Sequence, residues 1–199
     1  MKKINLKKMS LIVLLSSFFS TTAQEKGTSE LRISYGIVST NGIINTVTNI
    51  LTAPASLGTI EIDNKVSTGV FTLEYNYAIL NKLNLGLDLA YETFESDILS
   101  NGKVINKQNE EDITLALKSN YNYLSNDNFR LYSGLGVGYT LIRNKTNELS
   151  SEGLSFDNSN RFNFQITGIG FRYGKKLGIS AEVGLGYKGI LNGGISYQF

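Results

Sequence analysis

Apolar and polar residues alternate one for one along most of this chain, and that pattern constrains its fold more than any motif. A period of two puts successive side chains on opposite faces of a strand, whereas a helix needs a period near 3.6. Leu31, Ile33, Tyr35 and Ile37 alternate with Arg32, Ser34 and Gly36. Phe71, Leu73, Tyr75 and Tyr77 alternate with Thr72, Glu74 and Asn76, and Leu83 through Tyr91 continue the pattern around Asp88. A fourth segment sets Ile113, Leu115, Leu117, Tyr121 and Tyr123 against Lys118 and Asn120. In a fifth, Phe129, Leu131, Leu135, Val137, Tyr139 and Leu141 oppose Arg130, Tyr132, Gly134, Gly136 and Gly138. The sixth changes parity, from Phe162, Phe164 and Ile166 to Ile169, Phe171 and Tyr173, so a bulge is predicted near Thr167-Gly168, since one extra residue reverses the facing. Ile179, Ala181, Val183, Leu185 and Tyr187 face away from Glu182 and Lys188, and the eighth segment ends the chain. Each is close to the ten or so residues that a tilted strand needs to cross a bilayer.

The connections alternate too. Links at Ser39–Lys65, Glu95–Glu110 and Asn144–Asn160 are long, whereas those around Leu80-Asn81-Lys82, Ser125–Asn128 and Gly174–Lys176 are tight; the last link, near Lys188-Gly189-Ile190, falls on the long side but is short. Long loops on one side and short turns on the other are the asymmetry of a bacterial membrane barrel. Aromatics gather toward the segment ends. Tyr75, Tyr77, Tyr121, Tyr123, Phe129, Phe171, Tyr173, Tyr197 and Phe199 are predicted at the periplasmic rim, with Phe71, Tyr91, Phe94, Tyr139, Phe162 and Tyr187 at the outer one. Leu, Ile and Val fill the middle, giving two interfacial girdles around a lipid-facing band. The fold class predicted is therefore all-β: an eight-stranded antiparallel up-and-down transmembrane β-barrel. A secreted soluble barrel also alternates, but its apolar face would line a cavity and its polar face would meet water.

The two ends of the sequence fit export to a membrane. Lys2, Lys3, Lys7 and Lys8 precede an apolar run from Leu11 to Phe19 and the small residues Ser20-Thr21-Thr22-Ala23, the pattern of a secretory signal peptide over residues 1–23. The run is shorter than the roughly 20 residues of a spanning helix. A short lead, 24–28, then precedes the barrel domain at 29–199. At the other end the chain carries Asn192, Gly194, Tyr197 and Phe199, finishing on the aromatic. This pattern resembles the closing strand and assembly signal of Gram-negative outer-membrane barrels. With it, residues 29–199 resemble the small OmpA/OmpX-type outer-membrane β-barrel family. The resemblance implies location in the cell outer membrane after export through the periplasm, insertion by the barrel assembly machinery, and a monomer set in lipid and lipopolysaccharide. Members act in membrane stabilisation, adhesion or host interaction through their loops, with a possible surface ligand there, and some form narrow porin-like channels.

Charge excludes other classes. The whole sequence has 19 Lys+Arg against 17 Asp+Glu, but the four signal lysines leave 15 against 17, so no nucleic-acid partner is expected. There is no Cys, hence no disulfide or thiolate chemistry, and no His, which excludes a Ser–His pair or a histidine-activated water. No catalytic, metal or cofactor site is predicted. Asp88 and Glu92 remain as an acid–base pair, more simply read as solvated or salt-bridged. Gly134, Gly136 and Gly138 lack the offset of a phosphate loop and make room for long side chains opposite.

The polar face carries Arg32, Glu74, Asp88, Glu92, Lys118, Arg130, Arg172, Glu182 and Lys188. Inside eight strands there is little room beyond side chains, so these charges are predicted to pair as a lumen network. Mixed signs argue against a selectivity ring, leaving a narrow channel for ions or small solutes, or a proton relay, as the alternative. In the first long link Ile43, Ile44, Val47, Ile50 and Leu51 would form an apolar stripe on a helix, against which their β-branched content counts.

Overall fold

A computed structural model describes residues 26–42, 61–100, 103–146 and 156–199. The signal segment and the Ile43–Leu51 stripe lie outside the described residues. Eight strands follow one another: β1 Ser29–Ile37, β2 Glu61–Leu80, β3 Leu83–Ser100, β4 Lys103–Ser125, β5 Phe129–Thr146, β6 Phe156–Tyr173, β7 Leu177–Gly186 and β8 Leu191–Gln198. Each pairs antiparallel with the next, and β8 returns to β1 to close the barrel. Closure leaves no edge strand with unpaired backbone groups. The seam runs from Glu30 opposite Gln198 to Ile37 opposite Leu191. Reciprocal backbone bonds between Ser29 and Phe199, both 2.9 Å, finish it at the turn side.

The alternation becomes two walls of opposite chemistry. Along β1 every second residue is buried, and those are Glu30, Arg32 and Ser34 rather than Leu31, Ile33 and Tyr35. Leu117 and Phe162 are 63% and 69% exposed, while Glu74 and Asp88 are fully buried. A soluble barrel has the reverse polarity, so this wall was built for an apolar solvent. Among the described residues no helix is long and apolar enough to cross a membrane.

The outward aromatics sit largely where alternation predicts. Tyr35 and Phe71 meet edge to face, with centroids 4.9 Å apart, and Tyr197 stacks with Phe199 at 6.0 Å. Two expected girdle residues are instead inside. Phe94 is buried because it shares parity with Ala90 and Glu92, the inward set of β3. Tyr187 is fully buried because β7 stops at Gly186. There the backbone takes φ 150°, and a Cβ would lie 2.5 Å from Gln165 Cα, so the alternation ends and the next ring swings inward.

The bulge in β6 is present. Pairing with β7 slips between Thr167 and Ile169, and pairing with β5 slips opposite it between Tyr132 and Gly134. Gly168 is the extra residue, and Thr167 and Gly170 both remain on the inner face.

The long links are shorter than predicted, because β2 to β6 run 18–23 residues rather than ten. Glu95–Glu110 is mostly a hairpin, paired from Glu95 opposite Asn109 out to Ser100 opposite Lys103. Asn144–Thr146 and Phe156–Asn160 likewise belong to strands. Beyond the bilayer neither face is lipid-bound, so the sequence loses its period while the backbone ladder continues. The turns on the other side are tight: in the one joining β4 to β5, Asn126 Oδ1 accepts from the backbone N–H groups of Asn128 and Phe129, at 3.1 and 2.7 Å.

Candidate functional site: an ion-paired lumen with two mouths

The inward residues of seven strands, β1 to β7, and the β7–β8 turn meet in one connected network. Glu182 on β7 accepts from Arg32 Nη1 at 2.6 Å, from Tyr132 Oη at 2.7 Å, and pairs with Lys188 Nζ at 2.5 Å. Arg32 also reaches Glu30 at 2.8 Å and Glu74 at 3.5 Å, donates to Tyr132 Oη at 2.7 Å, and lies over the Tyr132 ring. Glu74, in turn, binds Lys118, Lys188 Nζ at 3.4 Å and the Ser34 hydroxyl at 2.9 Å. Lys118 continues to Asp88 at 2.9 Å, and Asp88 accepts from Tyr187 Oη at 2.8 Å. Toward the turns, Glu30 is shared by Arg32, Arg130 and Arg172.

Eight of the nine residues predicted for the lumen network are brought together; the ninth, Glu92, is not. Its carboxylate has no ion pair among the described residues and instead accepts from Ser39 Oγ at 2.6 Å, Ser67 Oγ at 2.5 Å and Asn41 Nδ2 at 3.5 Å. Glu92 lies nearer the outer end of β3 than Asp88, beyond the reach of the lysines. The two carboxylates therefore share no partner among the described residues. Lys188 joins the network from a turn rather than from β7, whose end at Gly186 lets the chain fold in. The sequence reading missed Glu30, whose parity with Arg32 was the available signal, and Tyr132, an aromatic on an otherwise polar face.

The outer mouth holds a polar plug. After β1, Val38 takes φ 57°, a left-handed conformation that costs a β-branched residue on the order of 1–3 kcal/mol. It is held by Ile190, whose N–H reaches the carbonyls of Ile37 and Val38 at 2.9 and 3.1 Å. This corner turns Ser39, Thr40 and Asn41 into the barrel, where all three are buried. Ser39 Oγ accepts from the Gly42 N–H at 3.1 Å as a helix N-cap does. Thr40 donates to Asn163 Oδ1 at 3.1 Å, and Asn163 Nδ2 donates to Asn41 Oδ1 at 2.7 Å. Between plug and charges Val70, Ala90, Ala116 and the Tyr187 ring form a small apolar cluster. Gly136 makes room for that ring: a Cβ there would lie 2.8 Å from Tyr187 Oη.

Among the described residues the other mouth is open. A cavity of about 730 Å³ lies among the N-terminal lead, the β4–β5 and β6–β7 turns and the end of β8. Arg130 and Arg172 reach it from within, and Lys26, Lys175 and Lys176 stand around it.

Among the described residues no group of three or more acidic, His or Cys side chains is placed to hold a metal ion. Of the predicted assembly residues, Asn192, Gly194 and Tyr197 sit on the closing strand and Phe199 directly follows it. Asn192 points inward toward Lys188 O at 3.5 Å, Gly194 lets β8 approach Ser34 of β1, and Tyr197 and Phe199 face outward.

An apolar outer wall, aromatic girdles, a closed ladder and an ionic interior define the class: this is a transmembrane β-barrel. No protein-family model matches the sequence, and no curated protein matches it. Among solved structures, the chain is similar to the N-terminal β-barrel domain of OprF from Pseudomonas aeruginosa, at 12% identity over 88% of this chain and 100% of that one, with a TM-score of 0.44. It is similar to Ail, the attachment invasion locus protein of Yersinia pestis, at 13% identity over 88% and 100%, TM-score 0.43. It is also similar to the outer membrane protein OprG of Pseudomonas aeruginosa, at 14% identity over 90% and 99%, TM-score 0.45. These likenesses are distant, and the pairing of the chain's own strands defines the fold.

Proposed function

We propose that this chain is an outer-membrane barrel with a structural or surface-interaction role, acting through its outer hairpins and without catalysis. The observation that carries this reading is the interlocked lumen. Arg32, Glu74, Lys118, Glu182 and Lys188 bridge the interior in several directions at once. Above them the Ser39–Asn41 plug occupies the outer mouth. Opening a solute path would strip buried charges of their partners, which is strongly unfavourable. An eight-stranded interior has little width to spare in any case.

The outer ends supply the surface such a role needs. β2 to β6 extend past the apolar band as paired ribbons, which present a fixed face to a partner at less ordering cost than a loose loop. The surroundings proposed for the barrel are outer-membrane lipid and lipopolysaccharide, reached after signal-peptide-dependent export. It is read as a monomer inserted by the barrel assembly machinery.

Planar-bilayer recording of refolded protein tests the reading against a narrow channel. The expected result is no steady single-channel current. Large, stable, reproducible steps from the purified wild-type protein would overturn the closed-lumen argument and put solute conduction in its place.

A further inference from the structure

The turn-side mouth has a charge imbalance that the lumen network leaves unsolved. Arg130 and Arg172 each have one ion-pair partner among the described residues, and it is the same one, Glu30. Glu30 is shared in addition with Arg32. Arg172 is otherwise used up: it donates to Ser196 Oγ at 2.8 Å and to the carbonyls of Gly174, Lys175 and Lys176. Arg130 is not. It is 95% buried, yet among the described residues only Nη2 has a partner, leaving Nε and Nη1 without a protein acceptor, and neither is sealed off from the adjoining cavity. A buried guanidinium with half its fork unused is costly unless something supplies an acceptor.

The cavity beside it is shaped for such an acceptor. Its volume of about 730 Å³ is too large for a single small ion and falls in the range of small-molecule sites. Lys26, Lys175 and Lys176 stand at its rim, against Asp127 as the one acidic side chain among the described lining residues. The rim lysines of the β6–β7 turn are held in place, because Arg172 grips the three carbonyls of that turn from below. The fork of Arg130 matches the paired oxygens of carboxylate or phosphate, and the lysines act as point charges around it.

We propose that the turn-side mouth of the barrel is a binding site for a multivalent anion bearing phosphate or carboxylate groups, received by Arg130 at the floor and by Lys26, Lys175 and Lys176 at the rim. The site opens along the barrel axis, on the polar face of the strands, so a soluble anion enters directly. A phospholipid headgroup offers the same chemistry and would have to bend over the rim past Phe199.

The test is calorimetric titration of pyrophosphate, and separately citrate, into the full barrel in zwitterionic nanodiscs, where both mouths are accessible whichever way the protein is oriented. It therefore reads the site independently of the function proposed above. Saturable binding of one anion per barrel is expected. The triple variant K26Q/K175Q/K176Q, with folding checked by heat-modifiable gel mobility, should bind about tenfold or more weakly, since each partly exposed charge contributes up to about a fivefold factor. K82Q removes a turn lysine outside the cavity and should leave binding unchanged. Repeating the titration in nanodiscs rich in phosphatidylglycerol separates the sources. Unchanged affinity means a soluble ligand, and a loss that persists when salt screens the lipid surface charge means that headgroups compete for the site. Absence of saturable binding by the wild type, equal binding by the triple variant, or an equal loss in K82Q would each overturn the proposal.

Discussion

Replacing Glu182 by Gln removes one negative charge from the centre of the lumen and almost nothing else. The side chain keeps its volume and one carbonyl oxygen. It loses the charge that faces Arg32 at 2.6 Å and Lys188 at 2.5 Å, with Tyr132 Oη donating at 2.7 Å. The connected network then falls from four carboxylates, Glu30, Glu74, Asp88 and Glu182, to three, against the same five cations. Breaking a buried pair by deleting one partner costs about 3–5 kcal/mol. Here both cations keep a second acid: Arg32 has Glu30 at 2.8 Å, and Lys188 has Glu74 at 3.4 Å. We therefore expect the lower end, about 3 kcal/mol, measured by urea titration of folding into phospholipid vesicles. The double variant Glu182→Gln/Lys188→Met should lose less than the two single changes summed, by about 1 kcal/mol or more, because the partners are in direct contact. The refolded single variant should still show no steady conductance. A loss below about 1 kcal/mol, or strict additivity in the cycle, would mean that water or side-chain rearrangement screens the lumen, and the network argument would fail.

Two further outcomes follow from the outer wall and the seam. Leu89→Arg places a charge on the lipid face opposite Leu73 and Leu115, midway between the girdles, and should cost about 2–4 kcal/mol in the same titration, whereas Leu80→Arg at the end of β2 should cost about 0–1 kcal/mol; equal costs would contradict the facing assigned to β2 and β3. Deleting Phe199 removes the reciprocal backbone bonds to Ser29 together with the stacked partner of Tyr197, so translocation should persist while barrel insertion falls, seen as lower outer-membrane levels and lost heat-modifiable mobility; unchanged levels and mobility would show that the terminal aromatic plays no part in closure or assembly.

The chain's own alternation was enough to place most of its residues. Which wall each side chain joins is a local property of a strand, repeated every two residues, so Arg32, Glu74, Lys118 and Glu182 could be set inside without knowing any partner. The change of parity around Thr167 even located the bulge at Gly168. The same rule, applied strictly, would have put Phe94 inside with Glu92 and brought Glu30 in beside Arg32; both were hidden by expectations about girdles and strand ends. Other features were outside its reach. The outer ribbons of β3 and β4 carry no period because neither face meets lipid, so only their backbone pairing reveals them as strands. Tyr187 and Lys188 lie past the end of β7, where a glycine turn rather than alternation sets direction. The corner at Val38 that sends Ser39–Asn41 into the mouth depends on carbonyls held by Ile190, from the far side of the seam. Above all, the sequence told which charges face inward but not which of them meet. Glu182 finds Arg32 across 150 residues, and Arg130 finds Glu30 across 100, only because eight strands close with one particular stagger. Facing is written residue by residue, while pairing across a lumen, and the surplus of positive charge it leaves at one mouth, exists only once the ring is shut.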